Sequence, residues 1–228
     1  MLIPREKIIS LSFLFFCFLL SLNAQNDTLK AEGFYDKGKD LYYHGNYPKA
    51  RKSFEKALKL KREIYGPEHK EVMRVLLRLG KNQRRDREHP SALAFFNEGL
   101  ELAKKIDPGG EYEGDFNMEL GQVHSQMYRP RKANEYFEKS MDIFMKIFGE
   151  ESSEVGNIYM DFGMSFIKMA NYYDANQNFQ KAFDVFQKSS KPTSKDFYRI
   201  YNNWGYCYRK MGNYENPGMY LMKAHSCF

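Results

Sequence analysis

Residues 34–58 read FYDKGKDLYYHGNYPKARKSFEKAL, and the order of small, aromatic and helix-breaking residues in this stretch decides the fold. Phe34, Gly38 and Leu41 fall on one face of a helix. Ala50, Phe54, Ala57 and Leu58 fall on one face of a second, at i, i+4, i+7 and i+8. Between the two, His44-Gly45-Asn46-Tyr47-Pro48 supplies glycine and asparagine to end the first helix and proline to open the next. The stretch therefore predicts a helical hairpin. Gly38, Ala50 and Ala57 let the paired helices approach closely, and Phe54 fills the space above them. One such hairpin cannot bury its apolar face alone, so neighbours must stack.

Outward from this stretch the same residues return. Gly38 recurs as Gly80, Gly121, Gly163 and Gly205, at intervals of 42, 41, 42 and 42 residues. Ala50 recurs as Ala92, Ala133 and Ala175, then Pro217; Phe54 as Phe96, Phe137 and Phe179, then Leu221; Ala57 as Gly99, Ser140, Ala182 and Ala224. Glycine is roughly 7% of average sequence, so four more in register arise by chance about once in 10^4 to 10^5. The pattern is a repeat, and it predicts five hairpins over 31–72, 73–113, 114–155, 156–197 and 198–228, preceded by a linker at 25–30. Arg87 and His89 replace the turn glycine and tyrosine in the second hairpin, Tyr128 and Pro130 in the third, and Ala170 the glycine in the fourth. Altered turns are expected in the second and third. Pro217 is expected within the first turn of the last helix, where proline is tolerated.

The bulk composition, 43% hydrophobic and 28% charged, is that of a folded globular chain. A net charge of +6 favours acidic partners. Residues 1–24 read as a secretory signal peptide: Arg5 and Lys7 precede an apolar run, residues 8–22, followed by Asn23 and Ala24, with cleavage expected after Ala24. An uncleaved anchor is the competing reading; fifteen helical residues reach only about 22 Å, against a hydrocarbon core of about 30 Å. Export to a periplasm or the medium, of bacterial type, is expected, with no stable membrane span left after cleavage. Cys17 would leave with the signal peptide. Cys207 and Cys227 are expected about 10 Å apart along antiparallel helices, too far to bridge, and to serve as small buried apolar residues.

The first hairpin resembles the tetratricopeptide repeat family through Phe34, Gly38, Leu41, Gly45, Tyr47, Ala50, Phe54, Ala57 and Leu58. The last resembles it through Trp204, Gly205, Tyr208, Gly212, Tyr214 and Ala224. The family's usual period is about 34 residues. The longer period here, with its extra length in the connectors KREIYGPEHKEV and MKIFGEESSEV, looks like the repeats of kinesin light chains and of many bacterial signalling proteins. The resemblance covers 31–228 and implies an all-α fold, a right-handed α-solenoid of five stacked helical hairpins. It also implies that the first helix of each hairpin lines a concave groove.

Counted from Ala31, repeat positions 2, 5, 6, 9, 12 and 13 would face that groove. Positions 2 and 6 alternate in sign: Glu32 and Asp36, Arg74 and Arg78, Asp115 and Glu119. Salt bridges between repeats are the plain reading of that alternation. Positions 9, 12 and 13 bring Lys39, Tyr42, Tyr43, Lys81, Arg84, Arg85, Met164, Ile167, Lys168, Tyr206, Arg209 and Lys210, with seven cations and no acid; Met118 and Met160 at position 5 would add an apolar patch. Such a strip suits an acidic peptide with a hydrophobic anchor, and a solvated basic face is the alternative. Asn202 and Asn203 match the paired asparagines of long-repeat members, where such residues bond peptide backbone. The two-carboxylate clamp of chaperone-binding members is not matched, since position 9 is never asparagine.

No phosphate-cradling loop, His-Glu-x-x-His or Cys-x-x-Cys occurs, and the five histidines are scattered. His124 falls at a core-type position. No enzymatic activity, metal or cofactor is expected. The expected function is a scaffold that binds a peptide or protein in the groove. The alternatives are the sensor portion of a larger signalling protein and, against the export signal, a nucleic-acid binder. Apolar residues of the last helix (Met219, Tyr220, Met222, Phe228) suggest self-association through an uncapped end.

Overall fold

The first four turns predicted from the sequence close a helix in the same way, whatever residue stands in them. The computed structural model describes residues 25–189 and 194–212, and all regular structure among them is helical. The helices are α1 (25–43), α2 (Tyr47–Tyr65), α3 (Lys70–Arg85), α4 (His89–Ile106), α5 (Glu111–Gln126), α6 (Pro130–Phe148), α7 (Ser153–Lys168), α8 (Tyr172–Lys188) and α9 (Ser194–Lys210). They give four complete hairpins and the first helix of a fifth. Residues 25–30, expected as a linker, are instead the opening turns of α1, steadied by an ion pair between Lys30 and Asp27 at 3.1 Å. The signal segment with Ala24, and the last helix with Pro217 and Cys227, lie outside the described residues.

At the end of α1, Gly45 takes a left-handed φ of +74°. Its N–H reaches Tyr42 O at 3.0 Å, and Asn46 N–H reaches Leu41 O at 2.8 Å. This is the paired closure that satisfies the last carbonyls of a helix. Altered turns are expected in the second and third hairpins, yet Arg87 and Tyr128 there, like Ala170 in the fourth, adopt φ of +64°, +57° and +57° and repeat the same two bonds. The closure satisfies two carbonyls per turn, which outweighs the steric cost of a side chain in that region. Relieving that cost should show. Ala170→Gly is expected to raise stability by about 1 kcal/mol, read as a higher urea midpoint at unchanged slope. An unchanged or lower midpoint would mean that the position carries no strain.

The following helices start on capping side chains. Asn46, His69, Ser152 and Asn171 accept from the N–H of Lys49, Glu71, Val155 and Asp174 at the starts of α2, α3, α7 and α8.

The chain divides into two compact units, 1–95 and 96–228, the boundary falling within α4. In the N-terminal unit a Cβ on Gly38 would lie 2.6 Å from the ring of Phe54, so only glycine lets α1 and α2 approach this closely. Phe54 is fully buried and meets Tyr35 edge-on at 5.8 Å. In the C-terminal unit the same wedge recurs, with Gly121 against Phe137 and Gly163 against Phe179, where an added Cβ would fall inside 3.0 Å. Each such phenylalanine, fully buried, contributes about 2–3 kcal/mol.

A second regularity ties successive hairpins. In the second, fourth and fifth repeats the tenth residue donates to the carbonyl that opens the preceding hairpin's second helix. Asn82 Nδ2 bonds Tyr47 O at 3.0 Å within the N-terminal unit. Within the C-terminal unit Ser165 Oγ bonds Pro130 O at 3.2 Å, and Cys207 Sγ lies 3.6 Å from Tyr172 O. Cys207 is buried and unbridged, and burial pushes its thiol up to about 11. It packs as the small apolar residue expected.

Candidate partner-binding face

The first helices of neighbouring hairpins meet side by side within each unit, and polar side chains sew them together. In the N-terminal unit Arg74 of α3 forks onto Glu32 of α1 at 2.6 and 2.7 Å, and Arg78 Nε donates to Tyr35 OH at 3.4 Å. In the C-terminal unit Gln122 of α5 bonds Asp161 of α7 at 2.7 Å, Lys168 of α7 donates to Ser125 O of α5, and Arg199 of α9 bonds Asn157 of α7 at 2.8 Å. The alternating charges at position 2 thus act as inter-repeat links for Glu32 and Arg74.

One member of this network escaped the sequence reading. Lys61, in the charged run KLKRE of α2, is completely buried. Its Nζ lies 2.5 Å from both Glu32 and Glu71 and 5.5 Å from the ring centroid of Tyr35. Arg74 closes the cluster, 3.0 Å from Glu71 and 4.3 Å from the Tyr35 centroid. Burial raises the Glu32 carboxyl, but the hydrogen bonds and charges of Lys61 and Arg74 outweigh it and hold the group below its ordinary 4.5. Nothing in a local window separates Lys61 from the exposed lysines around it; only its spacing of 29 residues from Glu32 carries the signal.

The residues expected to face a ligand divide into three groups. Tyr42, Tyr43, Arg85, Lys168, Asn202, Asn203, Tyr206, Arg209 and Lys210 are half-buried or exposed, as are Lys81, Arg84 and Met164. Lys39 is half-buried but paired with Asp36 at 3.2 Å. Met160 and Ile167, expected in an apolar patch, are instead core residues at 1% and 8% exposure. They pack with Phe179 of α8 and Ile200, Trp204 and Cys207 of α9, because their positions point into the next hairpin.

The exposed cations of the C-terminal unit sit against rings. Arg209 and Lys210 lie 5.6 and 5.5 Å from the centroid of Tyr206, and Lys168 lies 5.2 Å from that of Tyr128. Burial lowers the Lys168 ammonium from its ordinary value. In the N-terminal unit Tyr43 is 69% exposed and meets Tyr42 edge-on at 5.5 Å. His124 lies flat on Tyr136, with centroids 5.4 Å apart. Burial, with Arg129 and Lys132 nearby, lowers its pKa, so it packs as a neutral ring.

Stacked hairpins wedged by glycine and linked first helix to first helix define an all-α solenoid. Tetratricopeptide repeat profiles match residues 27–105 and 198–225, and the chain is a tetratricopeptide repeat protein. Among solved structures, BtubC (BKLC) from P. vanneervenii superposes with a TM-score of 0.69 at 16% identity, covering 90% of each chain. The nearly identical TPR-like repeats of a Podosopora anserina kinesin light chain superpose at 0.70 and 10% identity, covering 88% of this chain and 95% of that one. A Rap protein complexed with competence and sporulation factor superposes at 0.75 and 14% identity, over 87% of this chain and 55% of that one. At these identities the likeness is one of fold. A clustered mitochondria protein homolog of Candida albicans is 26% identical over 116 residues, 49% of this chain and 8% of that relative, so the match spans a small part of its length.

Proposed function

We propose that this protein is a non-catalytic scaffold that holds an acidic peptide or protein segment against the exposed side of its first helices. The observation that carries this is the grouping of Lys168, Arg209 and Lys210 with aromatic rings, beside Met164 and Tyr206, which rest half-buried on the core. Arginine can fork onto a carboxylate, and methionine adapts to varied apolar side chains. The cross-helix bonds fix this surface in advance, which reduces the entropy lost on binding. The solved Rap protein, of the same fold, is complexed with a factor, which favours the same use here. The basic, apolar character of residues 1–24 supports an exported protein.

The test is a fluorescence titration with a labelled peptide of alternating glutamate and leucine. Arg209→Glu with Lys210→Glu is expected to weaken binding at least about ten-fold, as is Arg84→Glu with Arg85→Glu. Equal affinity in the wild-type protein and both variants would remove these surfaces from the function.

A further inference from the structure

The edge formed by the hairpin turns of the C-terminal unit is built unlike its flanks. Three turns lie along it, at 126–132 (QMYRPRK), 168–174 (KMANYYD) and 209–212 (RKMG). Bonds already described hold them side by side: Lys168 to Ser125 O, Ser165 to Pro130 O and Cys207 to Tyr172 O. The edge is therefore one surface within this unit.

Its composition is doubly unusual. Tyr128, Tyr173, Met211 and Met169 are exposed at 82%, 69%, 48% and 38%. Isolated exposed apolar residues need no explanation, but four in adjacent turns are a cluster. Among them stand Arg129, Arg131, Lys132, Lys168, Arg209 and Lys210, against one acid, Asp174, which is bound to Asn171 at 2.6 Å. Lys132 pairs with Glu135 at 2.7 Å. Arg129 and Arg131 have no ion-pair partner among the described residues. Meanwhile the connectors at the opposite ends of the helices carry Asp107, Glu111, Glu113, Glu150, Glu151 and Glu154. The unit is thus basic and aromatic along this edge, whereas the opposite helix ends mix those acids with Lys104, Lys105, Lys146 and Lys188.

We propose that this turn edge docks on an anionic lipid surface. Tyrosine has an apolar body and a polar tip, and arginine and lysine have apolar stems below charged heads, so both match the headgroup boundary. Each cation near an anionic leaflet adds attraction that salt weakens. Insertion stays shallow, since no described helix is long and apolar enough to cross a bilayer. A protein partner with an acidic surface is the rival occupant. The four exposed apolar residues set among the cations favour the lipid.

The experiment is sedimentation of the full chain with phosphatidylcholine vesicles, with and without 30% phosphatidylglycerol, alongside hydrogen exchange. Anchoring by residues 1–24 would add equally to every variant, so the readout is the increment produced by the anionic lipid. Arg129→Glu with Arg131→Glu is expected to cut that increment about thirty-fold or more. Tyr128→Asn with Tyr173→Ser, the asparagine keeping the left-handed turn, is expected to cut it at least five-fold. Amides of 127–131 and 169–173 should slow only with the anionic vesicles. An increment that neither pair changes, or amides that exchange at the same rate with and without anionic lipid, would overturn the proposal. So would tighter binding of the soluble glutamate–leucine peptide to this edge than of the vesicles. Arg129 and Arg131 are not among the residues invoked for peptide binding, so with that pair each reading can fail alone.

Discussion

Lys61→Met is expected to destabilise the N-terminal unit by about 3 kcal/mol. The substitution keeps a buried apolar stem of similar length and removes only the ammonium. Glu32 and Glu71 then face each other with Arg74 as their one described counter-charge. Removing one partner of a buried pair costs about 3–5 kcal/mol, because the remaining charge stays desolvated. The lower end applies here: Glu32 is 38% exposed and Glu71 21%, so water screens part of the repulsion. Chemical denaturation at neutral pH measures this, and a midpoint equal to wild type would show that Arg74 alone neutralises the site. The pH dependence gives a second reading. Glu32 is held below its ordinary 4.5 when folded, so its contribution is complete above that value and is lost as pH falls through the depressed one. Lys61→Met should flatten that acid loss as well as lower the plateau.

Gly163→Ala should cost up to about 2 kcal/mol, the opposite sign from the usual helical replacement. In an exposed helix interior alanine is more stable than glycine by about 1 kcal/mol. At this position the added methyl would lie within 3.0 Å of the Phe179 ring, which is fully buried and has no free side toward which to move. Overpacking of this kind costs about 1–3 kcal/mol, from which the propensity gain is subtracted; the close approach here favours the upper end. Adding Phe179→Leu should recover part of the loss, making the two substitutions non-additive. Simple additivity of the midpoints would show that the wedge is looser than its geometry implies.

The wedge was legible in the sequence because a period of 42 residues repeats a residue type that packing cannot replace. The turns were legible in place but not in kind. Arg87, Tyr128 and Ala170 are ordinary residues, and only the carbonyls they satisfy hold them left-handed. The tenth-position donors share a role but no chemistry, being an amide, a hydroxyl and a thiol, so no pattern of residue types displays them. Met160 and Ile167 were placed on the wrong side because the same spacing serves the solvent face and the seam with the next hairpin. Lys61 is invisible locally, since its partners belong to two other helices.

The tenth-position bonds have a mechanical consequence. In the C-terminal unit each latch joins a first helix to the hairpin behind it, from Ser165 to the start of α6 and from Cys207 to the start of α8. Under a pull on the carboxyl end both latches carry the same tension, and the weaker, a lone thiol against a carbonyl, yields first. The hydroxyl behind it holds to a higher force. Yielding should proceed in steps of one repeat, each releasing roughly 14 nm of chain. The protein would then behave as a ratchet of graded catches rather than as a body that gives way at once.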